Sequence, residues 1–171
     1  MAGKFVIMGV AGCGKSAVGA ALSGATGLHY MDGDDLHPAA NIAKMSSGIP
    51  LTDEDRWPWL QAIGALFAKT DAPLAIGCSA LKRTYRDFII AHAGDPADSP
   101  VVFIYLEGSR DLIGSRMADR EGHFMPTALL DSQFQALEPP AVDEQHIVVD
   151  ISQSIDAIVA DVVAKLALDK P

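Results

Sequence analysis

The chain alternates short apolar runs with longer stretches of mixed polarity. Five runs read as strands: Lys4–Met8, His29–Met31, Leu74–Cys78, Val101–Leu106 and His146–Val149. Most lack a strict apolar–polar alternation, the pattern of strands covered on both faces. Helical stretches fall between them, at Lys15–Ala25, Glu54–Lys69, Lys82–Ala93, Ser109–Arg120, Pro126–Leu137 and Ser152–Leu168. Strands alternating with helices predict an α/β fold of three layers. A five-stranded parallel sheet lies between helices and is joined by right-handed crossovers. Residues 94–100 form a surface loop by composition, and Pro139-Pro140 closes a helix. No repeat, low-complexity tract or long linker divides residues 1–171, which predicts a single domain.

In such sheets ligands bind at the carboxyl ends of the strands. The first strand runs into Met8-Gly-Val-Ala-Gly-Cys-Gly-Lys-Ser16. Three glycines so close together oppose a helix, each costing about 1 kcal/mol against alanine. Read as a pattern, Gly9 to Ser16 is G-x-x-x-x-G-K-S, a phosphate-binding loop. Gly9, Val10, Ala11, Gly12, Cys13 and Gly14 turn their N–H groups inward around phosphate oxygens. The helix that follows adds the partial positive charge of its N-terminus. Lys15 reaches the β- and γ-phosphates, and Ser16 takes one position on Mg2+. The motif implies a nucleoside triphosphate and Mg2+ and leaves the fate of the γ-phosphate open.

Net charge is −9, which argues against general nucleic-acid binding. The 13 basic residues must then be concentrated where an anionic nucleotide sits. No apolar run approaches 18 residues, so no membrane span is expected. Met-Ala-Gly-Lys passes directly into the first strand, which leaves no room for a secretory leader. The two cysteines, Cys13 and Cys78, are not placed for a structural disulfide, and a cytoplasmic protein is expected.

The second strand ends in Asp32-Gly-Asp-Asp-Leu-His37-Pro38. Asp35 reads as a solvated or capping residue. Asp32 and Asp34 leave a strand beside the phosphate loop. There one carboxylate can join the Mg2+ shell or accept a hydroxyl proton, and the other can grip a polyol. Asp32 suits the first role and Asp34 the second. His37 has two readings, a substrate contact or a stack on Pro38. A metal site built from Asp32, Asp34 and His37 is the weaker alternative, because Mg2+ takes few protein ligands beside phosphate oxygens.

Lys82, Arg83 and Arg86 open the helix after the third strand. Cations there work against the helix dipole, and an anionic ligand would offset the cost. Lys82 and Arg86 share a face. Arg56 follows a capping Thr52 or Asp53 and reads as an anion contact or a surface ion pair. Arg116 and Arg120, four apart, precede a glycine and an aromatic stretch. They suit either a mobile lid that brings positive charge onto the triphosphate or a solvated helix face.

Taken together, these blocks resemble the bacterial gluconate kinases of the P-loop, shikimate-kinase-like group. The resemblance covers nearly the whole chain. It rests on Gly9–Ser16, on Asp32–Pro38 with Asn41-Ile42 and Lys44-Met45, and on Gly48–Asp53 with Asp55-Arg56 and Pro58–Leu60. It continues through Cys78–Lys82 with Tyr85–Asp87, and through His123–Pro126 with Leu129-Leu130, Ser132–Phe134 and Leu137-Glu138.

The resemblance implies the P-loop NTPase fold with a helical lid at about residues 109–137. It implies ATP- and Mg2+-dependent phosphorylation of D-gluconate at the 6-hydroxyl, giving 6-phospho-D-gluconate and ADP, by a homodimer. Asp32 would lie near the metal and the attacking hydroxyl. Asp34, His37, Arg56, Lys82 and Arg86 would surround the substrate, with His123 and Gln133 also on the substrate side. Lys15, Asp32 and Arg120 would carry the catalysis, and Arg116 and Arg120 would belong to the lid.

Two departures stand out. Ala17 follows Ser16 where many relatives have a hydroxyl. Cys13 replaces a small polar residue, and its place near a helix N-terminus suggests a lowered thiol pKa and redox sensitivity. Two rivals are a kinase for shikimate or a nucleoside monophosphate, and a nucleotide-dependent switch. A guanine-reading N/T-K-x-D element is absent from the sequence.

Overall fold

The computed structural model of the protein describes residues 3–95, 97, 99–119 and 127–168, with backbone alone at 127 and 128. Five parallel strands form one sheet: β1 (Lys4–Met8), β2 (His29–Asp32), β3 (Leu74–Gly77), β4 (Val101–Glu107) and β5 (His146–Asp150), in the order β2-β3-β1-β4-β5. The helices are α1 (Lys15–Thr26), α2 (Ala39–Ser46), α3 (Asp53–Lys69), α4 (Arg83–His92), α5 (Arg110–Ala118), α6 (Thr127–Ala136) and α7 (Ile155–Leu166). Every expected strand is present within one residue at each end. α2 and a 3-10 turn at Gly33–Leu36 were not expected.

β1 explains the continuous apolar runs. Phe5 and Ile7 pack into one core with Val18, Leu22, Ile113, Ile158 and Val162. Val6 and Met8 pack into the other with Leu60, Ile63, Phe67 and Ile89. Side chains still alternate across the sheet, but both faces are covered by helices, so neither register needs a polar residue. Lys4 pairs with Leu74 and with Val101, which places β1 between β3 and β4. The chain moves outward from β1 to β2 and back to β3, then crosses β1 to β4 and β5. The direction reverses at β1, and the crevice beyond its carboxyl end is the topological switch point where α/β sheets bind ligands.

Arg86 corrects an expectation. It is fully buried rather than facing a ligand. Its Nε and Nη2 donate to the Glu144 carboxylate at 2.5 and 2.9 Å. Its Nη1 donates to the carbonyls of Ala80, Leu81 and Glu138. Arg83 likewise pairs with Asp143 and Asp87. The anions that these helix-start cations call for are therefore carboxylates of the protein itself. Arg86 acts as a brace: it ties the segment after β3 to the segment 138–144. It also holds the carbonyl of Ala80, whose φ of 44° is a strained conformation for a residue with a side chain.

Removing one partner of a buried pair leaves the other charge uncompensated. Glu144→Ala should lower the unfolding free energy by about 3–5 kcal/mol, measured by urea unfolding. The KM of the folded fraction for its acceptor should stay unchanged, because Arg86 is fully buried against protein groups.

Candidate active site

The loop after β1 has the backbone its sequence demands. Gly9, Gly12 and Gly14 take φ values of 150°, 81° and 100°, which favour a residue without a side chain. Gly14 caps α1, and Lys15 begins it. Lys15 Nζ donates to the carbonyls of Gly9 and Val10 at 3.1 and 3.2 Å, so the ammonium lies folded over the loop. Ser16 Oγ donates to Asp32 Oδ2 at 2.9 Å. Two oxygens from separate elements thus converge beside the loop. That is the sparse donor set expected of Mg2+, which completes its shell with phosphate oxygens and water. No cluster of three or more metal-ligating side chains occurs among the described residues.

The acidic turn follows from close packing. A side chain on Gly33 would meet the Gly77 carbonyl at 2.3 Å, so only glycine lets the turn lie against β3. Asp32 Oδ1 accepts from the Asp34 N–H at 3.0 Å and caps the 3-10 turn. Trp59 Nε1–H donates to the Gly33 carbonyl at 2.7 Å and fixes the turn to α3. The His37 ring stacks on Trp59, with centroids 4.1 Å apart and planes 18° from parallel, rather than serving only as a neighbour of Pro38. Burial pushes the His37 pKa below its ordinary value, which favours the neutral ring.

A cavity of about 790 Å³ joins these groups. Its walls include Lys15, Ser16, Asp32, Asp34, His37, Arg56 and Gln133 among the expected residues, with Ala11, Gly12 and Gly14 from the loop. Gln133, on α6, accepts the Ala11 N–H at 3.1 Å through Oε1, which ties α6 to the phosphate loop. Arg56 donates to the Leu51 carbonyl at 2.7 Å and lies 3.7 Å from Asp53. Lys82 lies outside the wall and binds both oxygens of Asp53 at 3.1 Å. Asp53, also bonded by the Tyr85 hydroxyl, is thus the shared counter-ion of Arg56 and Lys82. The Tyr85 hydroxyl and then Lys82 hold its carboxyl below the usual range.

Arg116 does not line the cavity. Its charge reaches Asp150, whose carboxyl is held low chiefly by the Ser152 N–H and hydroxyl and less by Arg116. Arg120 and His123 lie outside the described residues. Trp59, Ser79 and the apolar group Met45, Ile49, Leu51 and Leu129 also line the wall; the sequence placed them in matching blocks without assigning them to the site. Apolar side chains carry no chemical signature in a sequence, and nothing but the fold brings α2, α6 and the phosphate loop together.

Cys13 departs from its expectation. It is buried, and that burial raises its thiol pKa, outweighing the nearby Lys15 charge. Burial pushes Cys78 further, up to about 12. A thiol so placed is a poor redox sensor.

No protein-family model matches the chain. The thermosensitive gluconokinase of Escherichia coli (strain K12) is 48% identical over 161 residues, covering 91% of this chain and 83% of the relative. The crystal structure of a gluconokinase from Sinorhizobium meliloti 1021 superposes with a TM-score of 0.87. It is 47% identical and covers 96% of this chain and 91% of that one. The chain belongs to the gluconokinase family. Shikimate kinase from Aquifex aeolicus vf5, 13% identical with a TM-score of 0.60 over 96% of each chain, shares the fold.

Two outcomes test this geometry. Iodoacetamide at neutral pH should leave Cys13 unmodified in the folded protein and alkylate it only after unfolding; rapid labelling of the native thiol would contradict its burial. Asp55 receives Lys44 Nζ at 2.7 Å and the Thr52 N–H at 2.9 Å, which docks α2 on the start of α3. The Lys44 hydrogen bond is the main cause that lowers its carboxyl from 3.8 to about 2. A lowered pKa stabilises the fold above the unfolded value and is lost as pH falls through the folded one. The wild type should therefore lose part of its stability between about pH 4 and pH 2 that Asp55→Asn lacks throughout. Urea unfolding of both proteins across that window measures the difference.

Proposed function

We propose that the protein catalyses ATP-dependent phosphorylation of D-gluconate at the 6-hydroxyl, giving 6-phospho-D-gluconate and ADP. One observation carries this reading. The Ser16–Asp32 pair lies beside the phosphate loop in a cavity that also presents Asp34, His37 and Arg56. A nucleotide switch needs no second polar chamber. A sugar-acid kinase needs a cation for the carboxylate and acceptors for the hydroxyls.

In this reading Lys15 exchanges the carbonyls of Gly9 and Val10 for β- and γ-phosphate oxygens. The loop N–H groups cradle the same phosphates. Ser16 and Asp32 would hold Mg2+, which when bound offsets charge on the phosphates. The 6-hydroxyl oxygen attacks the γ-phosphorus in line. The bond to the β,γ-bridging oxygen breaks, and the hydroxyl proton passes to the Asp32 carboxylate. Arg56, with Lys82 behind it across Asp53, attracts the substrate carboxylate. Asp34 and His37 contact hydroxyls. Gln133 holds α6 to the loop, and Arg116 belongs to a lid over the nucleotide. A cytoplasmic homodimer is part of the same proposal. No helix of the described residues is long and apolar enough to cross a membrane.

A coupled ADP-release assay with Mg-ATP tests the reaction against D-gluconate, other aldonates, shikimate and AMP. Gluconate should be the strongest acceptor. Asp32→Asn should cut kcat by about 10²–10⁴-fold while ATP binding persists. Release with shikimate or AMP alone would overturn the substrate. Slow release indifferent to any acceptor would overturn the kinase reading.

A further inference from the structure

Asn41, on α2, is 3% exposed and has no part in the reaction described above. Its Nδ2 donates to the Asp55 carbonyl at 2.8 Å. A carbonyl can only accept, so this bond sets which way the amide points. The same nitrogen lies 3.3 Å from His37 Nδ1. An amide nitrogen donates and does not accept, so Nδ1 must be the acceptor. A neutral imidazole with a bare Nδ1 carries its proton on Nε2. Imidazolium would set N–H against N–H, so Asn41 opposes charging in the same direction as burial does. Of the charged groups facing the ring, Asp34 favours the imidazolium and Arg56 opposes it.

The ring is held in place as well as in tautomer. It stacks on Trp59, and Trp59 is itself fixed through Nε1 to the Gly33 carbonyl. His37 Nε2 then lies 3.9 Å from Asp34 Oδ1. That gap is too long for a direct hydrogen bond, and one oxygen can bridge it. A hydroxyl fits both sides: its oxygen accepts from Nε2–H and its proton goes to the carboxylate. A carbonyl or an ether satisfies the histidine and leaves Asp34 unpaired.

We propose that Asn41 locks His37 as the neutral Nε2–H tautomer, and that His37 and Asp34 together read a single hydroxyl of the acceptor. Asn41 is a positioning residue, and the pair determines specificity. The hydroxyl half rests on the gluconate reading; the tautomer half does not.

Two measurements separate the halves. Long-range ¹H–¹⁵N spectra of the full-length protein at pH 7.5, without substrate, should show His37 protonated at Nε2. Asn41→Ala should turn this signal into a tautomer mixture. Kinetics with D-gluconate and aldonates deoxygenated at one carbon each should show one position where the wild type discriminates. Asn41→Ala should raise the gluconate KM by about three- to tenfold and weaken that discrimination. The KM for ATP should stay unchanged and kcat should change less than KM. His37→Phe, which keeps the stack on Trp59, should abolish the discrimination even if Asn41→Ala fails to fold. An Nδ1–H signal in the wild type, or an unchanged signal in Asn41→Ala, overturns the lock. Discrimination that survives His37→Phe overturns the hydroxyl reader. A wild type inactive on gluconate overturns the functional reading while the tautomer result stands by itself.

Discussion

The site depends on how β1 ends. A strand buried on both faces cannot expose its backbone until it leaves the sheet, and β1 leaves it at Gly9. Over the next residues the chain must turn sharply and aim its N–H groups at one point. Glycines at 9, 12 and 14, all with positive φ, make that turn possible. α1 then starts at Lys15 with its free N–H groups at the same point. A side chain at any of these glycines would disturb the concentration of positive potential that an otherwise acidic protein has to build locally.

Around that fixed point the protein arranges two kinds of attachment. One is rigid. Trp59 pins the acidic turn through the Gly33 carbonyl, and Arg86 clamps the segment after β3 to the chain near Glu144. The other is lighter. α2 is held to α3 through Asn41 and the Lys44–Asp55 pair, and α6 reaches the loop through Gln133. Met45, Ile49 and Leu129, from α2, the segment after it and α6, present apolar surface to the cavity they share. A pocket with the Ser16 and Asp32 oxygens on its rigid side and lightly tethered apolar walls opposite suits a reaction in which water must be excluded only while the substrate is present.

The charges sort in the same way. Cations at the start of α4 are costly, and the protein answers each with a carboxylate of its own. Arg83 has Asp143, Arg86 has Glu144, and Lys82 has Asp53. Arg56 keeps its place on the cavity wall while sharing Asp53, and Lys15 lies on the same wall at the phosphate loop. The positive potential left on the cavity wall is therefore smaller than a count of nearby basic residues suggests, and among the described residues Lys15 and Arg56 supply it.

Sequence alone determined the five strands, most of the helices and the phosphate loop. These follow from local causes: apolar runs covered on both faces, and glycine where φ must be positive. It also placed Asp32 at the carboxyl end of a strand facing the same crevice as the loop, because in parallel sheets the segments after the strands share that crevice. It could not assign Arg86, because an arginine bound for a core and one bound for a ligand look alike until Glu144 arrives from 58 residues away. It misjudged Cys13, whose burial depends on packing rather than on its nearness to a helix start. It placed Asn41 and Trp59 in matching blocks but gave them no role, because their roles consist of a carbonyl on α3 and a carbonyl beside β3. The tertiary structure decided which polar groups are spent on each other and which remain for a ligand. That choice turns on partners far apart in the chain, and no local pattern carries it.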